Sequence, residues 1–181
     1  MGTIKDFKYK LIKGFLTIEE IKLLNTYCKI KQRINFNSFD FKQNDNGDTF
    51  YYGDPTMESL MINKLSLMEK ETGFKLNPTY AFWRMYTMFA DLKKHKDRPS
   101  CEISVTVMIG SDGTKWPIFI EGNEMELQPG DAVIYLGCEL EHWREEFKGD
   151  WHSQVFLHYV DANGPYSNLA IDGRPLFGIT K

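Results

Sequence analysis

Residues 102–136 read EISVTVMIGSDGTKWPIFIEGNEMELQPGDAVIYL. Short runs at 102–109, 117–121 and 132–136 are rich in Val, Ile, Thr and Phe. They are separated by Gly110-Ser111-Asp112-Gly113, Glu121-Gly122-Asn123 and Gln128-Pro129-Gly130-Asp131. β-Branched runs broken by turn formers predict antiparallel strands. The same texture runs outward in both directions. Further strands are expected at 80–88, 124–127, 139–146 and 152–160, the last two separated by Lys148-Gly149-Asp150. Seven short strands with tight turns predict a sandwich or barrel.

The front of the chain has a different period. Thr17-Ile18-Glu19-Glu20 is a capping box, with Leu16 and Ile21 placed as a hydrophobic staple. Ile21, Leu24 and Cys28 then recur at helical spacing, and the helix is expected to end near Lys29. Residues 36–53 are polar and aromatic with turn residues from Asn44 to Gly47, the pattern of a long loop or loose hairpin. Such loops often serve as lids, so mobility over the mouth of the barrel is expected here. A second helix should begin at Asp54 with Pro55 in its first turn, bury Met57, Leu60, Met61, Leu65 and Met68, and stop at Gly73. Two helices ahead of an antiparallel unit fit helices packed outside one sheet.

Composition sets the class. A chain of 181 residues with 42% apolar residues, 13 Phe, 9 Tyr and 4 Trp has material for one domain with a full core. The longest apolar run, Ala132 to Leu136, is far below the ~20 residues of a membrane helix. Net charge is −3, which disfavours a nucleic-acid-binding surface. The first 33 residues hold eight Lys/Arg against three Asp/Glu, read as a solvated basic surface. Three cysteines, Cys28, Cys101 and Cys138, form neither a disulfide framework nor a zinc motif. With no apolar leader in MGTIKDFKYK, a reducing, cytoplasmic setting is expected.

The chain has only four histidines. His95 and Asp97 are expected at the end of the first long strand, two residues apart and so on one side of it. An antiparallel barrel can bring His142 alongside. Two imidazoles and one carboxylate on one face leave three positions open, the donor set of non-haem Fe(II) oxygenases. His158, within Phe156-Leu157-His158-Tyr159, reads as a core histidine bonded to a neighbour. Trp143 reads as packing, Cys101 and Cys138 as small core residues, and Lys93, Lys94 and Lys96 as a solvated edge.

Tyr86-Thr-Met-Phe-Ala-Asp-Leu-Lys-Lys-His95-Lys-Asp97-Arg98 resembles the Tyr-x-x-Gly…His-x-Asp segment of 2-oxoglutarate/Fe(II)-dependent oxygenases, and of the prolyl 4-hydroxylase group in particular. Leu127-Gln-Pro-Gly-Asp131-Ala-Val-Ile-Tyr135 followed by Glu141-His142-Trp-Arg144 resembles that family's Pro-Gly-Asp, strand and distal-His segment. Phe15-Leu16-Thr17-Ile-Glu-Glu20 is similar to its first helix start. The resemblance covers about residues 10–160. Two departures stand out: Ala90 occupies the neighbourhood of the family's Gly, and His152 occupies the place where an Arg or Lys usually pairs with the distal carboxylate of 2-oxoglutarate.

The resemblance implies a mainly β, α+β chain with a double-stranded β-helix (jelly-roll, cupin-like) core in a single domain, 1–181. Residues 1–77 would be helical support and loop, 78–160 the jelly-roll core, and 161–181 a C-terminal tail. It implies Fe(II) held by His95, Asp97 and His142, with 2-oxoglutarate, O2 and an accessory role for ascorbate. Tyr86 would hydrogen-bond the cosubstrate, and Thr106 would do so if its side chain points inward. An imidazole is a poor permanent cation, whereas a guanidinium is always charged and binds carboxylate bidentately. Of five arginines, Arg84 shares the face of Tyr86 and Arg144 that of His142, so either can supply the cation, with His152 assisting. The implied reaction is hydroxylation of an unactivated C–H, of a peptidyl proline in the first reading. A free amino acid or small metabolite, or a non-catalytic cupin-like binding protein, are the alternatives. Nucleic-acid and membrane partners are not expected.

Overall fold

The computed structural model describes residues 7–36 and 47–179. Ten strands and three α-helices follow the order β1 (Tyr9–Ile12), α1 (Ile18–Phe36), β2 (Thr49–Tyr52), α2 (Pro55–Asn63), α3 (Leu65–Thr72), β3 (Leu76–Thr87), β4 (Leu92–His95), β5 (Ile103–Ser111), β6 (Ile118–Ile120), β7 (Asn123–Met125), β8 (Ala132–Leu136), β9 (His142–Arg144) and β10 (Trp151–Asp161). Two antiparallel sheets result: a six-stranded one, β1-β8-β5-β10-β3-β2, and a four-stranded one, β4-β9-β6-β7.

The helix starts follow their local chemistry. In the capping box the Thr17 amide donates to Glu20 Oε2 (2.8 Å) and the Glu20 amide to Thr17 Oγ1 (3.2 Å). The Asp54 carboxylate accepts from the amides of Thr56 and Met57 at 3.0 and 3.2 Å, with Pro55 opening α2. Gly73, at φ 79°, ends α3 in the left-handed conformation that glycine adopts without strain. Three boundaries differ from the sequence expectation. The first helix runs on to Phe36. The second is two helices joined at Lys64, whose amide closes α2 on Leu60 O and Ile62 O. Residues 49–52 are not loop but an edge strand, paired with β3 from Thr49↔Met85 to Tyr52↔Phe82. The rest of the expected lid, 37–46, lies outside the described residues.

The six-stranded sheet is buried on both faces, and the two faces differ. Outward, Ala81, Trp83, Met85, Val105, Val107, Val155, Leu157 and Tyr159 pack with Met57, Met61 and Met68 of the helices into one apolar cluster. Burying this face supplies most of the apolar contact in the fold. Inward, the alternate positions are polar or aromatic: Tyr80, Phe82, Arg84 and Tyr86 on β3, Ser104 and Thr106 on β5, and His152, Gln154, Phe156 and His158 on β10. Buried polar side chains need partners, so a sheet that turns its polar face into the molecule is built around a site.

The segment after β10 is not a loose tail. Arg174 and Glu58 form an ion pair with both side chains 1% exposed. Arg174 also donates to Thr79 O (3.0 Å) and Ile179 O (2.7 Å), and Glu58 accepts from the Gly178 amide. Removing one member leaves the other charged and unpaired inside the protein, which typically costs ~3–5 kcal/mol. Glu58→Ala is therefore expected to lower the thermal midpoint by about 10 °C. A midpoint within a few degrees of the parent in differential scanning calorimetry would show the pair to be dispensable.

Candidate active site

The three expected metal donors come together, by a route that differs from the sequence reading. β3 ends at Thr87, and a turn in which Phe89 takes φ 69° carries the chain into the other sheet as β4. That left-handed conformation falls beside Ala90, where the expected glycine is missing, and is unusual for a bulky residue. His95 therefore ends β4, not the first long strand. The β4–β9 register sets His95 opposite His142, with ring centroids 4.3 Å apart. Asp97 lies beyond β4, and its amide donates to Gly137 O (2.8 Å). Gly137 is required by this approach: a Cβ there would sit 2.3 Å from Cys101 O and 2.5 Å from Asp97 Oδ2.

Asp97 Oδ1 is 3.5 Å from His95 Nε2 and 3.5 Å from His142 Nε2. His95 Nδ1 faces Lys93 O (2.7 Å) and His142 Nδ1 faces Leu140 O (3.0 Å). A ring nitrogen against a carbonyl must carry the proton, so both Nε2 atoms are left with lone pairs aimed at one point. One donor atom from each of His95, Asp97 and His142 lies within 4.8 Å of the others. The residues fit a divalent first-row metal such as iron. Burial alone would raise the Asp97 carboxyl. Protonated His142 and His95 donating from Nε2 would prevail and hold it far below the usual carboxylate range, so the point between the three side chains favours a positive charge, proton or metal.

Asp97, Cys101 and His158 form a second cluster of donor types. Burial pushes the Cys101 thiol up to about 12, and its Sγ lies 3.0 Å from the Tyr80 hydroxyl, so it is poorly suited to act as a thiolate. His158 Nδ1 is occupied by Ser104 Oγ (2.8 Å), and Ser104 in turn donates towards Asp97 Oδ2 (3.1 Å). His158 is thus the bonded core histidine expected, and burial lowers it to about 4.

The triad opens on a cavity of about 240 Å3 walled by Tyr80, Phe82, Leu92, Tyr135 and Phe156. Arg84 lines it too, but is committed. Its Nε donates to Asp48 Oδ2 (2.7 Å), NH2 contacts the same oxygen, and the guanidinium stacks 4.4 Å over Tyr86. Asp48 is fully buried and accepts from the amide and hydroxyl of Thr87 at 2.8 and 3.0 Å. No sequence signal marks Asp48, which meets Arg84 only because β2, the strand it precedes, pairs with β3.

Arg144 is in the opposite situation. It is 2% exposed, donates from NH1 to Trp116 O, lies 4.7 Å over the Trp116 ring, and makes no ion pair among the described residues. Its Nε and NH2 have no hydrogen-bond partner among those residues either. Burial lowers its pKa to about 10, which still leaves it charged at neutral pH. His152 lies near it, with Nε2 on Gln154 Oε1 (2.9 Å) and Nδ1 unpartnered. Burial first, and the charge of Arg144 second, push His152 down to about 3, so it is neutral. Gln154 Nε2 donates to Thr106 Oγ1 (2.6 Å), which leaves the Thr106 hydroxyl as a donor; the side chain does point inward. Tyr86 is buried within reach of the charge of both arginines. Three of the five unpartnered buried polar atoms among the described residues belong to Arg144 and His152. A buried cation with two idle nitrogens needs an anionic partner that the described residues do not supply. Elsewhere, Trp143 stacks on Phe119 on the far side of β9 (5.4 Å), and Lys93 and Lys94 are exposed beside Asp91 and Glu141.

No protein-family profile matches the chain, and no curated protein sequence matches it. Solved structures do. A prolyl-4-hydroxylase from Pseudomonas putida superposes with a TM-score of 0.63 at 16% identity, over 87% of this chain and 95% of its own. A viral collagen prolyl hydroxylase from Paramecium bursaria Chlorella virus-1, in complex with 2-oxoglutarate, gives 0.64 at 13%, over 87% and 98%. The non-haem α-ketoglutarate-dependent carbocyclase SnoK of nogalamycin biosynthesis gives 0.68 at 11%, over 86% and 80%. The chain has the fold of these oxygenases.

Proposed function

We propose that this chain is a 2-oxoglutarate- and Fe(II)-dependent dioxygenase that hydroxylates an unactivated C–H bond. The observation that carries the reading is a His95/Asp97/His142 triad facing an aromatic-walled cavity, with an unpaired, charged and buried Arg144 nearby. In this reading the two sheets are a double-stranded β-helix, with 78–160 as its core. The three side chains hold Fe(II) through both Nε2 atoms and Asp97 Oδ1. Lys93 O and Leu140 O keep the imidazoles in the binding tautomer, and Ser104 steadies the carboxylate from behind. When loaded, such a centre supplies the oxidation of substrate by O2 coupled to decarboxylation of 2-oxoglutarate to succinate.

The rest of the work belongs to the chain. Arg144 receives the distal carboxylate of 2-oxoglutarate through Nε and NH2. Tyr86 and the Thr106 hydroxyl, on the same inward face, share that anion, and neutral His152 closes the pocket without adding charge. Tyr80, Phe82 and Phe156 keep water from the reacting carbon and present ring faces to a compact apolar group. A prolyl ring of an extended peptide fits that wall, and two of the structures sharing this fold are named as prolyl hydroxylases. A small-molecule substrate is the second reading, favoured by the size of the cavity and by the carbocyclase at the higher TM-score. Three free cysteines suit a reducing, cytoplasmic setting. Among the described residues no helix is long and apolar enough to cross a membrane.

The test is succinate release from 2-oxoglutarate by the purified chain with Fe(II) and ascorbate under air. Slow Fe(II)-dependent release is expected without substrate, with stimulation by proline-rich peptides. Stimulation by free amino acids alone would move the assignment to a small-molecule oxygenase. A protein that binds Fe(II) but never consumes 2-oxoglutarate would be the non-catalytic binding protein.

A further inference from the structure

A dense carboxylate-centred network outside the triad lies in the segment that follows β10. Asp172 is 4% exposed. Its Oδ1 accepts from Arg98 NH1 (2.8 Å) and Ser100 Oγ (2.6 Å), and its Oδ2 accepts from Arg98 NH2 (2.9 Å) and from the Tyr52 hydroxyl. Arg98 directly follows Asp97, and Ser100 lies in the short 3-10 turn Pro99–Cys101 that completes the same loop. The backbone that delivers Asp172 is itself unusual. Ile171 and Asp172 have φ 57° and 53°, in the left-handed region that a β-branched residue avoids. Backbone strain of this kind persists only where the surroundings over-determine it.

We infer that Asp172 is a positioning residue for the active site, a carboxylate from the C-terminal segment that fixes the metal-binding loop through Arg98 and Ser100 and the aromatic wall through Tyr52 and Tyr80. The inference rests on the triad being a metal site. Each contact runs toward that site. The bidentate Arg98–Asp172 fork sets two N–H···O bonds in one plane, so it fixes direction as well as distance. The Arg98 carbonyl accepts the Cys101 amide (2.8 Å) and faces Cys138 Sγ (3.2 Å), while Thr79 Oγ1 donates to Ser100 O (2.7 Å). The loop leaving Asp97 is thereby held at both ends, and Asp172 joins its two side-chain anchors. The Arg98 guanidinium also lies 4.6 Å over the Tyr80 ring, and Tyr52 packs on the same ring at 4.8 Å. Tyr80 lines the cavity, so one carboxylate orients both a metal donor and the surface a substrate meets. Residues that orient donors from behind typically change metal affinity by ~10–100-fold when altered.

Co(II) is the probe, titrated into the full chain and followed by its ligand-field absorption, with far-UV circular dichroism on the same samples. Asp172→Asn keeps the size of the side chain and removes its charge. It is expected to retain the secondary structure, bind Co(II) ~10–100-fold more weakly and show a changed ligand-field spectrum. Arg98→Met is expected to do the same, and the double variant no more than either single one, because the two act as a unit. If Asp172→Asn does not fold, Arg98→Met and Ser100→Ala carry the measurement. Parental Co(II) affinity and spectrum in the folded variants, or additive losses in the double variant, would overturn the inference while leaving the metal site intact. A parent chain that takes up no Co(II) would overturn the metal reading, and this inference with it.

Discussion

Asp97→Ala is expected to abolish 2-oxoglutarate turnover and to weaken Fe(II) or Co(II) binding by more than ~100-fold, with the fold retained. Asp97 is the only carboxylate in the His95/Asp97/His142 cluster, and it is the member both imidazoles face at 3.5 Å. Its removal leaves two neutral nitrogens, a set that competes poorly with water for a hard divalent ion. Retention of the fold follows from where Asp97 sits. Its amide bond to Gly137 O is main-chain and survives the substitution, and only the Ser104 hydroxyl loses a side-chain acceptor. His158→Ala provides the contrast. It touches Asp97 only through Ser104, so metal binding is expected to persist with at most a ~10-fold loss. Isothermal titration of Co(II) into both variants checks the assignment. Parental affinity in Asp97→Ala would remove Asp97 from the metal site altogether, and complete loss in His158→Ala with His142→Ala unaffected would shift the metal to the Asp97/Cys101/His158 group.

What the sequence made legible was local, or carried by strand alternation. The Thr17 capping box, the Asp54 cap, the Gly73 stop and the 132–136 strand all appear as read, because each depends on neighbours a few residues away. The shared faces of Arg84 with Tyr86 and of Arg144 with His142 are also legible, since period two fixes relative facing, whereas the inward direction of Thr106 needs the assembled sheet. What failed depends on the chain leaving one sheet for another. Nothing in Thr87-Met-Phe-Ala marks the point where β3 ends and β4 begins, because Phe89 takes the left-handed conformation without a glycine to announce it. The short strands β1 and β2 were missed for a related reason: they are four-residue edge strands, and pairing with β8 and β3 defines them. The partner of Arg84 was beyond reach, because Asp48 joins it only through that pairing. The final segment reads as a tail in sequence, yet Asp172 and Arg174 are 4% and 6% exposed. Buried polar residues with distant partners carry no periodic signal.

Arg144→Met is expected to act in opposite directions on stability and on ligand binding. In the parent, the guanidinium is buried and, among the described residues, Nε and NH2 are unpartnered and there is no ion pair, so the fold carries the desolvation of a charge without its usual compensation. A methionine of similar length fills the space with no charge, and the unfolding midpoint of the ligand-free variant should rise. Binding should move the other way. A dianion entering this pocket gains a charged, bidentate partner whose desolvation has already been met, and losing such a partner costs ~2–5 kcal/mol. That is ~30- to several-thousand-fold in affinity for 2-oxoglutarate. The stabilisation that 2-oxoglutarate confers on the parent, which grows with ligand concentration over Kd, should vanish in the variant. Arg84→Met gives the contrasting result. It orphans the buried Asp48 carboxylate, so it should lower the midpoint while leaving 2-oxoglutarate affinity within a few-fold. The pH dependence separates the remaining candidate. His152 is held down to about 3 and Arg144 at about 10, so neither changes charge between pH 6 and 8. Parental affinity should be flat across that interval, because the guanidinium keeps its charge throughout it. An anchor made of protonated His152 would behave differently, with binding strongest at pH 6, weakening steadily to pH 8, and lost in His152→Ala but not in Arg144→Met. Thermal-shift titrations of 2-oxoglutarate against the parent and the three variants at pH 6, 7 and 8 decide between these outcomes. A pH-dependent parent, or an Arg144→Met protein that still binds like the parent, would remove Arg144 from the role.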